Sequence, residues 1–463
     1  MNTDSRRWTA LALLCVAAFM VILDASIVTT AVPSIETAVG FTGAGVQWVM
    51  TAYIVTFGGL LLFGGRAADL FGRRRIFVAG TALFVLTSLL CGLASSPGAL
   101  IGFRAGQGIA AAIMTPSAFS IVLTLFPDGP ERNQAIGIWG AVSGVGGTAG
   151  ALIGGPLTDH LGWEWIFFLN VPVGLAVLAV APLLLPESRP GGRGLDLGGA
   201  ATVTGALALL IYAVSEGPRA GWSGGRTAVP LAVAVVLLAA FALIESRVAD
   251  PLLPPRILRS RTLVGGNLIG LVSGMAAFGQ GFILTQYGQQ VLGWSASRYG
   301  VASAVMPVLA VVGSIVGQHL VSRLGFRAVA AGGMVLLAAG CLLWSGISAD
   351  GGFVADLLPG MLVFGPGLGA GTVAGSIASV AEVRAEDSGL ASGINNASFQ
   401  IGGALGVAIL SSVAVSRAGL THGFAAALGV AVAFGLIGLL VAAVLLRRAV
   451  FVPVAPVPVR NRG

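Results

Sequence analysis

The sequence predicts an all-α integral membrane protein with fourteen transmembrane helices, and three observations carry that prediction. Only 9% of the 463 residues are charged, 56% are hydrophobic, and mean hydropathy is +0.94. Apolar runs of about 20 residues, the length that crosses a hydrocarbon core, recur along the whole chain. Basic residues fall into alternate connections between those runs, as a fixed membrane topology requires. A soluble enzyme would carry near 25% charge, and a disordered chain would lack this apolar content, so both classes are excluded. Fourteen spans take about 280 residues and leave about 12 per connection, too few for a soluble domain.

In order, the apolar runs cover 9–32, 45–64, 76–95, 99–125, 134–157, 164–185, 197–215, 228–245, 262–287, 298–320, 328–347, 353–378, 389–415 and 423–446. The first is too long for a signal-peptide core and has no A-x-A cleavage site, so it is kept as a membrane helix. The fifth is rich in glycine, which allows close helix approach in lipid. The seventh and eighth form the weakest pair; twelve spans remain an alternative if they do not cross. Cys15, Cys91 and Cys341 lie far apart inside apolar runs and read as small buried hydrophobes, with no disulfide or metal spacing.

Every basic side chain among the 25 is Arg; the chain has no Lys. With the N-terminus inside, the inner segments hold Arg6, Arg7, Arg66, Arg73, Arg74, Arg75, Arg132, Arg189, Arg193, Arg247, Arg256, Arg259, Arg261, Arg323, Arg327, Arg384, Arg447, Arg448, Arg460 and Arg462. The outer loops hold only Arg219, Arg226, Arg298 and Arg417. This bias fixes both termini in the cytoplasm. Scattered between apolar runs, the net charge of +7 is topogenic and does not indicate nucleic-acid binding.

An internal repeat organises the spans. Gly72-Arg73-Arg74 after span 2 and Gly325-Phe326-Arg327 after span 10 share a glycine followed two residues later by arginine, about 253 residues apart. Pairing these loops makes two six-helix bundles, 1–190 and 251–463, with spans 7 and 8 inserted between them at 191–250. Two related bundles around a central cavity are a transporter architecture.

Few residues inside the spans carry chemistry. Asp24 in span 1 is flanked by Val21, Ile22, Leu23 and Ile27. Burial penalises its charged form, which suits a group that gains and loses a proton. Arg104 in span 4 lies near the same depth, roughly 7–12 Å below the outer surface. The two are expected to face each other in one state of a cycle, so that protonating Asp24 releases Arg104. The segment Gly65–Arg75 packs Gly65, Asp69, Gly72 and Arg73 into a tight turn and is expected to gate the cytoplasmic side. Gly146, Gly150, Gly154 and Gly155 precede Pro156, which kinks or ends span 5. Gln47, Trp48, Tyr53, Asn170, Asn267, Gln280, Gln286, Asn395, Asn396 and Gln400 are polar or aromatic positions that could line a substrate cavity. His160, His319 and His422 fall at loop ends. No Walker loop, haem ligand pair or metal cluster is present, so no cofactor is expected and ATP-driven transport within the chain is disfavoured.

These motifs resemble the fourteen-helix drug:proton antiporter branch of the major facilitator superfamily over nearly the whole chain. Leu23-Asp24-Ala25-Ser26-Ile27-Val28-Thr29-Thr30-Ala31-Val32-Pro33 is similar to that branch's span 1 motif, L-D-x-T-I-V-N-V-A-L-P. Gln47-Trp48 with Tyr53 follows its span 2 pattern. Gly65, Asp69, Gly72 and Arg73 match the superfamily loop signature, with Ala67 for the usual Leu. Arg104, Gln107 and Gly108 match R-x-x-Q-G, implicated in proton transfer. Gly146, Gly150, Gly154 and Gly155 resemble the antiporter motif, although Ala151 stands at its internal Pro. Trp163, Trp165, Phe167, Asn170 and Pro172 resemble W-R-W-x-F-x-x-N-x-P, with Glu164 for Arg. Gly393, Asn395, Gln400, Gly402, Gly403 and Gly406 resemble the matching later stretch, with Phe399 where Arg is common.

The resemblance implies the major facilitator fold in a bacterial cytoplasmic membrane. It also implies a monomer that exports a small lipophilic compound in exchange for protons, with Gln107 added to the tentative substrate cavity. With Asp24 as the one clear mid-span carboxylate, it implies a neutral or weakly acidic substrate. The all-Arg, Gly- and Ala-rich composition hints at a GC-rich genome, where such pumps protect antibiotic producers. A solute-importing symporter on the same fold is the alternative, and a non-transport sensor or scaffold a more distant one.

Overall fold

The computed structural model describes residues 3–126, 130–187, 196–248, 251–253, 256–383 and 388–447. Arg189, Arg193, Arg384, Arg448, Arg460 and Arg462, and the expected domain junctions near 190 and 250, lie at or outside the limits of the described residues. Fifteen α-helices follow in order: α1 Thr3–Val39, α2 Gln47–Phe71, α3 Arg73–Gly92, α4 Pro97–Leu125, α5 Pro130–Leu161, α6 Trp165–Phe168, α7 Asn170–Leu184, α8 Leu197–Ala220, α9 Gly225–Arg247, α10 Arg261–Gln286, α11 Ala296–Ser303, α12 Val305–Trp344, α13 Leu358–Ala381, α14 Ser388–Val415 and α15 Leu420–Leu445.

Helix starts follow the local chemistry. Ser96 accepts the Ala99 N–H ahead of Pro97, Ser260 accepts the Leu263 N–H, and Ser295 accepts the Arg298 N–H. Among the described residues, twelve helical stretches are long and apolar enough to cross a membrane. One of these, Ala296–Trp344, runs across the expected tenth and eleventh spans and turns at Gly325, whose φ of 78° no other residue type adopts cheaply. The expected fifth span corresponds to α5, which falls outside the twelve.

Packing groups α1–α7 together and α10, α12, α13, α14 and α15 together, while α11 packs mainly on α5 and α2 packs on α14 across the two groups. The pair α8·α9 packs on itself and reaches the rest through α8, against α2 and α14. The repeat read from the sequence has a structural counterpart. Gly72 (φ 99°) and Gly325 (φ 78°) turn the chain at the same end of the bundle. The arginine two residues later does the same job in each half. Arg74 Nη1 donates to the Pro182 and Leu185 carbonyls at the end of α7 (3.3 and 3.2 Å). Arg327 Nη2 donates to the Ala443 carbonyl near the end of α15 (2.6 Å). Each satisfies carbonyls that a helix C-terminus leaves without an internal partner.

Two elements differ from their sequence reading. Helix α1 runs through Pro33 to Val39, seven residues past the expected limit, and α5 continues through Pro156 to Leu161. Both prolines sit inside a continuing helix, which transmembrane helices tolerate and sequence pattern alone does not weigh.

Candidate proton-coupling site and helix interface

Asp24 and Arg104 are 0% and 1% exposed, and Arg104 Nη1 donates to Asp24 Oδ2 at 2.6 Å. The other carboxylate oxygen, Oδ1, accepts from Gln107 Nε2 (2.9 Å) and Asn170 Nδ2 (2.8 Å). Three donors thus converge on one buried carboxylate, and the Arg104 guanidinium is its counter-charge. Arg104 also donates to the Val49 carbonyl (2.8 Å, from Nε) and to Gln107 Oε1 (2.6 Å, from Nη1). Its guanidinium carbon lies 4.4 Å from the centre of the Tyr53 ring and 5.6 Å from that of Phe167.

Local sequence explains the assembly. Arg104 and Gln107, three residues apart, share one face of α4. Gly108 removes the side chain that would strike the Tyr53 carbonyl and Thr56, so α4 closes onto α2 near enough for Arg104 to reach Val49. Asp24 and Arg104 stand different distances from their helix ends, fifteen and seven residues, yet they touch because α1 overshoots the others. Gln107 and Asn170, expected at a substrate cavity, sit in this network instead. Ser88, which the sequence did not single out, accepts from Gln107 Nε2 at 2.7 Å. A serine on the buried face of an apolar helix was the only signal available.

The other expected cavity residues are not brought to one space. Gln47 donates to Ser215 of α8 (2.6 Å) and accepts from Ser411 of α14, joining three helices. Trp48 packs on the core and Tyr53 lies under Arg104. Gln280 donates to the Ala277 carbonyl and contacts Met306 Sδ of α12. Asn395 accepts from Ser376 (2.8 Å) and reaches Asn267 and the Gly266 carbonyl. Gln400 packs on Gly58 of α2. A cavity of about 480 Å³ opens where α1 ends, with Glu36, Phe282, Gln290, Arg417, Phe424 and, of the expected residues, Gln286 in its wall.

That same end carries a clasp between the two halves. Glu36 Oε2 accepts from Gln286 and Gln290, both at 3.1 Å, and Gln289 donates to the Thr30 carbonyl at 2.7 Å. Asp159, beyond the apolar part of α5, accepts the N–H groups of Ala296 (3.2 Å) and Ser297 (2.8 Å) at the start of α11. Burial pushes its carboxyl up, but hydrogen bonds from Ser297, Ser295 and Ala296 outweigh it and hold the group below the usual carboxylate range. At the opposite end, Asp69 accepts from Arg73 of its own turn (3.1 Å), and Arg73 donates to Thr124 of α4 (2.5 Å). Among the described residues, Asp69 makes no bond across the halves. Gly64, beside the signature Gly65, is where α2 touches the α4 backbone.

The glycines of α5 divide between two neighbours. Gly146, Gly150 and Gly154, four residues apart, face Ile22, Ser26 and Thr30 on α1. A Cβ at Gly150 would stand 2.6 Å from that of Ser26. Gly155 faces Ala296 and Ser297 of α11, and Ser26 donates to the Gly147 carbonyl at 2.8 Å. So α5 lies flush on the helix that carries Asp24 while touching the other half.

The description of the Major Facilitator Superfamily matches residues 14–271 and again 266–462. The chain belongs to that superfamily. It is 40% identical to the cephamycin export protein CmcT of Amycolatopsis lactamdurans, over 99% of this chain and 95% of that protein. It is also 40% identical to the puromycin resistance protein pur8 of Streptomyces alboniger, over 89% of this chain and 82% of the relative. To the tetracenomycin C resistance and export protein of Streptomyces glaucescens it is 36% identical, covering 89% and 77%. The solved inward-facing, unoccupied bacterial homologue of the lysosomal transporter Spinster superposes with a TM-score of 0.65 at 18% identity, covering 95% of each chain. Superfamily membership makes this a multi-pass membrane transporter rather than an enzyme.

Proposed function

We propose that this superfamily member is a proton-driven antiporter that exports a small lipophilic antibiotic-like molecule through a bacterial cytoplasmic membrane. The observation that carries the proposal is the buried Asp24–Arg104–Gln107–Asn170 network, an ion pair with no route to water in this state. A proton added to Asp24 removes the counter-charge of a guanidinium that is 1% exposed, and a buried lone charge is costly. The cheapest relief is movement of α4 against α1 and α2. Binding a proton is thereby coupled to a change of packing. The high identity to antibiotic export proteins supports the outward direction, and each inward proton contributes about 2.3 kcal/mol per 100 mV.

The topology proposed with it has fourteen spans, counting α5 and dividing the stretch at Gly325, with both termini cytoplasmic. It comprises bundles 1–190 and 251–463 around the inserted pair 191–250, and the chain works as a monomer. The arginine bias supports this orientation. The Glu36 and Asp159 clasp then closes the extracellular side, and the Gly65, Asp69, Gly72 and Arg73 turn forms a cytoplasmic gate that pairs across the halves in the opposite state. The Gly146, Gly150 and Gly154 stripe lets α1 slide on α5 without opening a leak.

Everted vesicles with a preset proton gradient test the proposal. Adding puromycin or tetracenomycin C should dissipate the gradient with the parent chain and leave it intact with Asp24→Asn. Proton-coupled transport retained by Asp24→Asn would sink the mechanism. Substrate-driven dissipation absent from the parent across a broad panel of lipophilic antibiotics would sink the export reading.

A further inference from the structure

We infer that the inserted helix pair carries a second proton site, a carboxyl pair that binds one shared proton and holds the linker into the C-terminal half. Asp196 caps α8, its Oδ1 accepting the Gly199 N–H at 2.6 Å. Glu245, in the last turn of α9, accepts the Leu252 N–H with Oε1 (3.2 Å) and the Leu253 N–H with Oε2 (2.8 Å). Both side chains are 5% exposed. The unpartnered Asp196 Oδ2 meets Glu245 Oε1 over Gly199, where any side chain would strike both oxygens together. Asp196 Oδ2 and Glu245 Oε1 would both lie within 2.9 Å of the same Cβ at Gly199, so the two carboxyls are close neighbours. Yet Asp196 Oδ2 is buried with no donor. Two ionised carboxylates cannot bond, whereas one proton between them supplies the missing donor and removes the repulsion.

Among the described residues, no basic side chain is seen to bond either carboxyl. On α2 the nearby cation is Arg66, and its Nη2 is given to the Pro251 carbonyl (2.7 Å). Arg247 of α9 is exposed, and the described part of α14, which packs on α8, has no ionisable side chain. Pro251, Leu252 and Leu253 are therefore held from two sides: by Arg66 of the signature segment, and by a glutamate whose position depends on the shared proton. Loss of the proton drives the carboxylates apart, and Glu245 must leave the linker N–H groups. The pair thus makes the linker's grip depend on pH at the end of the bundle opposite the Glu36 clasp. That this end is cytoplasmic rests on the proposed topology; the site does not.

Purified full-length protein in detergent micelles, with no gradient and no substrate, tests the site independently of export. A Leu253→Cys reporter is labelled with a maleimide against a Ser223→Cys reference in the exposed α8–α9 loop; the three native cysteines are buried. The reporter-to-reference ratio should rise about fivefold or more between pH 6 and pH 9. In Asp196→Asn the side-chain amide keeps the cap and supplies the donor permanently, so the ratio should stay low and flat. Glu245→Gln, which also removes the repulsion, should be flat as well and serves where the first variant does not fold. A flat ratio in the parent, or an equal rise in either variant, overturns the proposal.

Discussion

In the N-terminal half, Arg74 follows the Gly72 turn and holds the end of α7; in the C-terminal half, Arg327 follows the Gly325 turn and holds the end of α15. The frames match, but the interiors do not. The first half buries an acid and an arginine with two polar partners, Gln107 and Asn170. Among the described residues, the helices α10–α15 bury only uncharged polar groups, such as Asn267, Gln280 and Asn395. A duplicated scaffold can keep its turns and caps, because both copies must bury the same helix ends. A buried charge pair has no such scaffold role and can survive in one copy only. Under the proposed mechanism, this asymmetry assigns the proton chemistry to the half that holds Asp24 and Arg104.

The largest effect should come from breaking the charged interior. Arg104→Ala leaves Asp24 buried and unpaired and should cost about 3–5 kcal/mol of stability, read as thermal unfolding in detergent. Asp24→Asn leaves the Arg104 guanidinium buried without its counter-charge, so it should cost a comparable amount while also abolishing proton coupling in everted vesicles. Asn267→Ala, in the other half, should cost about 1 kcal/mol and leave the pH dependence of transport unchanged. A proton-coupling defect there as large as that of Asp24→Asn would erase the contrast between the halves.

A second effect separates two glycines of α5. Gly150→Leu must push α1 away at Ser26 and should stop transport, whereas a Cβ at Gly147 meets nothing nearer than Pro307 at 3.9 Å. Gly147→Ala should therefore keep near-parent transport of the same antibiotic. Equal loss in both would remove the close α1–α5 contact as the cause. The smallest effect sharpens the symmetry itself. Arg74→Ala and Arg327→Ala should each lower stability by about 1 kcal/mol, since each removes half-exposed donors from helix-end carbonyls. A cost confined to one of them would show that the two turns are not equivalent.

Much of this was legible before any coordinate. Low charge, periodic apolar runs and alternating arginines dictate a bundle of spans, because lipid tolerates no unsatisfied backbone and few charges. The 253-residue spacing of Gly72 and Gly325 pointed to the repeat, because a turn that needs positive φ keeps its glycine. Asp24 and Arg104 stood out because a charge in an apolar run demands a reason.

What the sequence could not determine was which side chains converge. Gln107 and Asn170 read as possible cavity residues, since a polar residue in a span looks the same whether it meets a drug or a carboxylate. Only the approach of α4 and α7 to α1 assigns them to Asp24. Helix α1 continues through Pro33, so the reach of Glu36 to Gln286 and Gln290 was invisible to a pattern that ended the span at residue 32. Composition and periodicity are properties of a segment and follow from the local chain. The clasp, the buried network and the carboxyl pair at Gly199 join helices distant in sequence, and only packing decides those contacts.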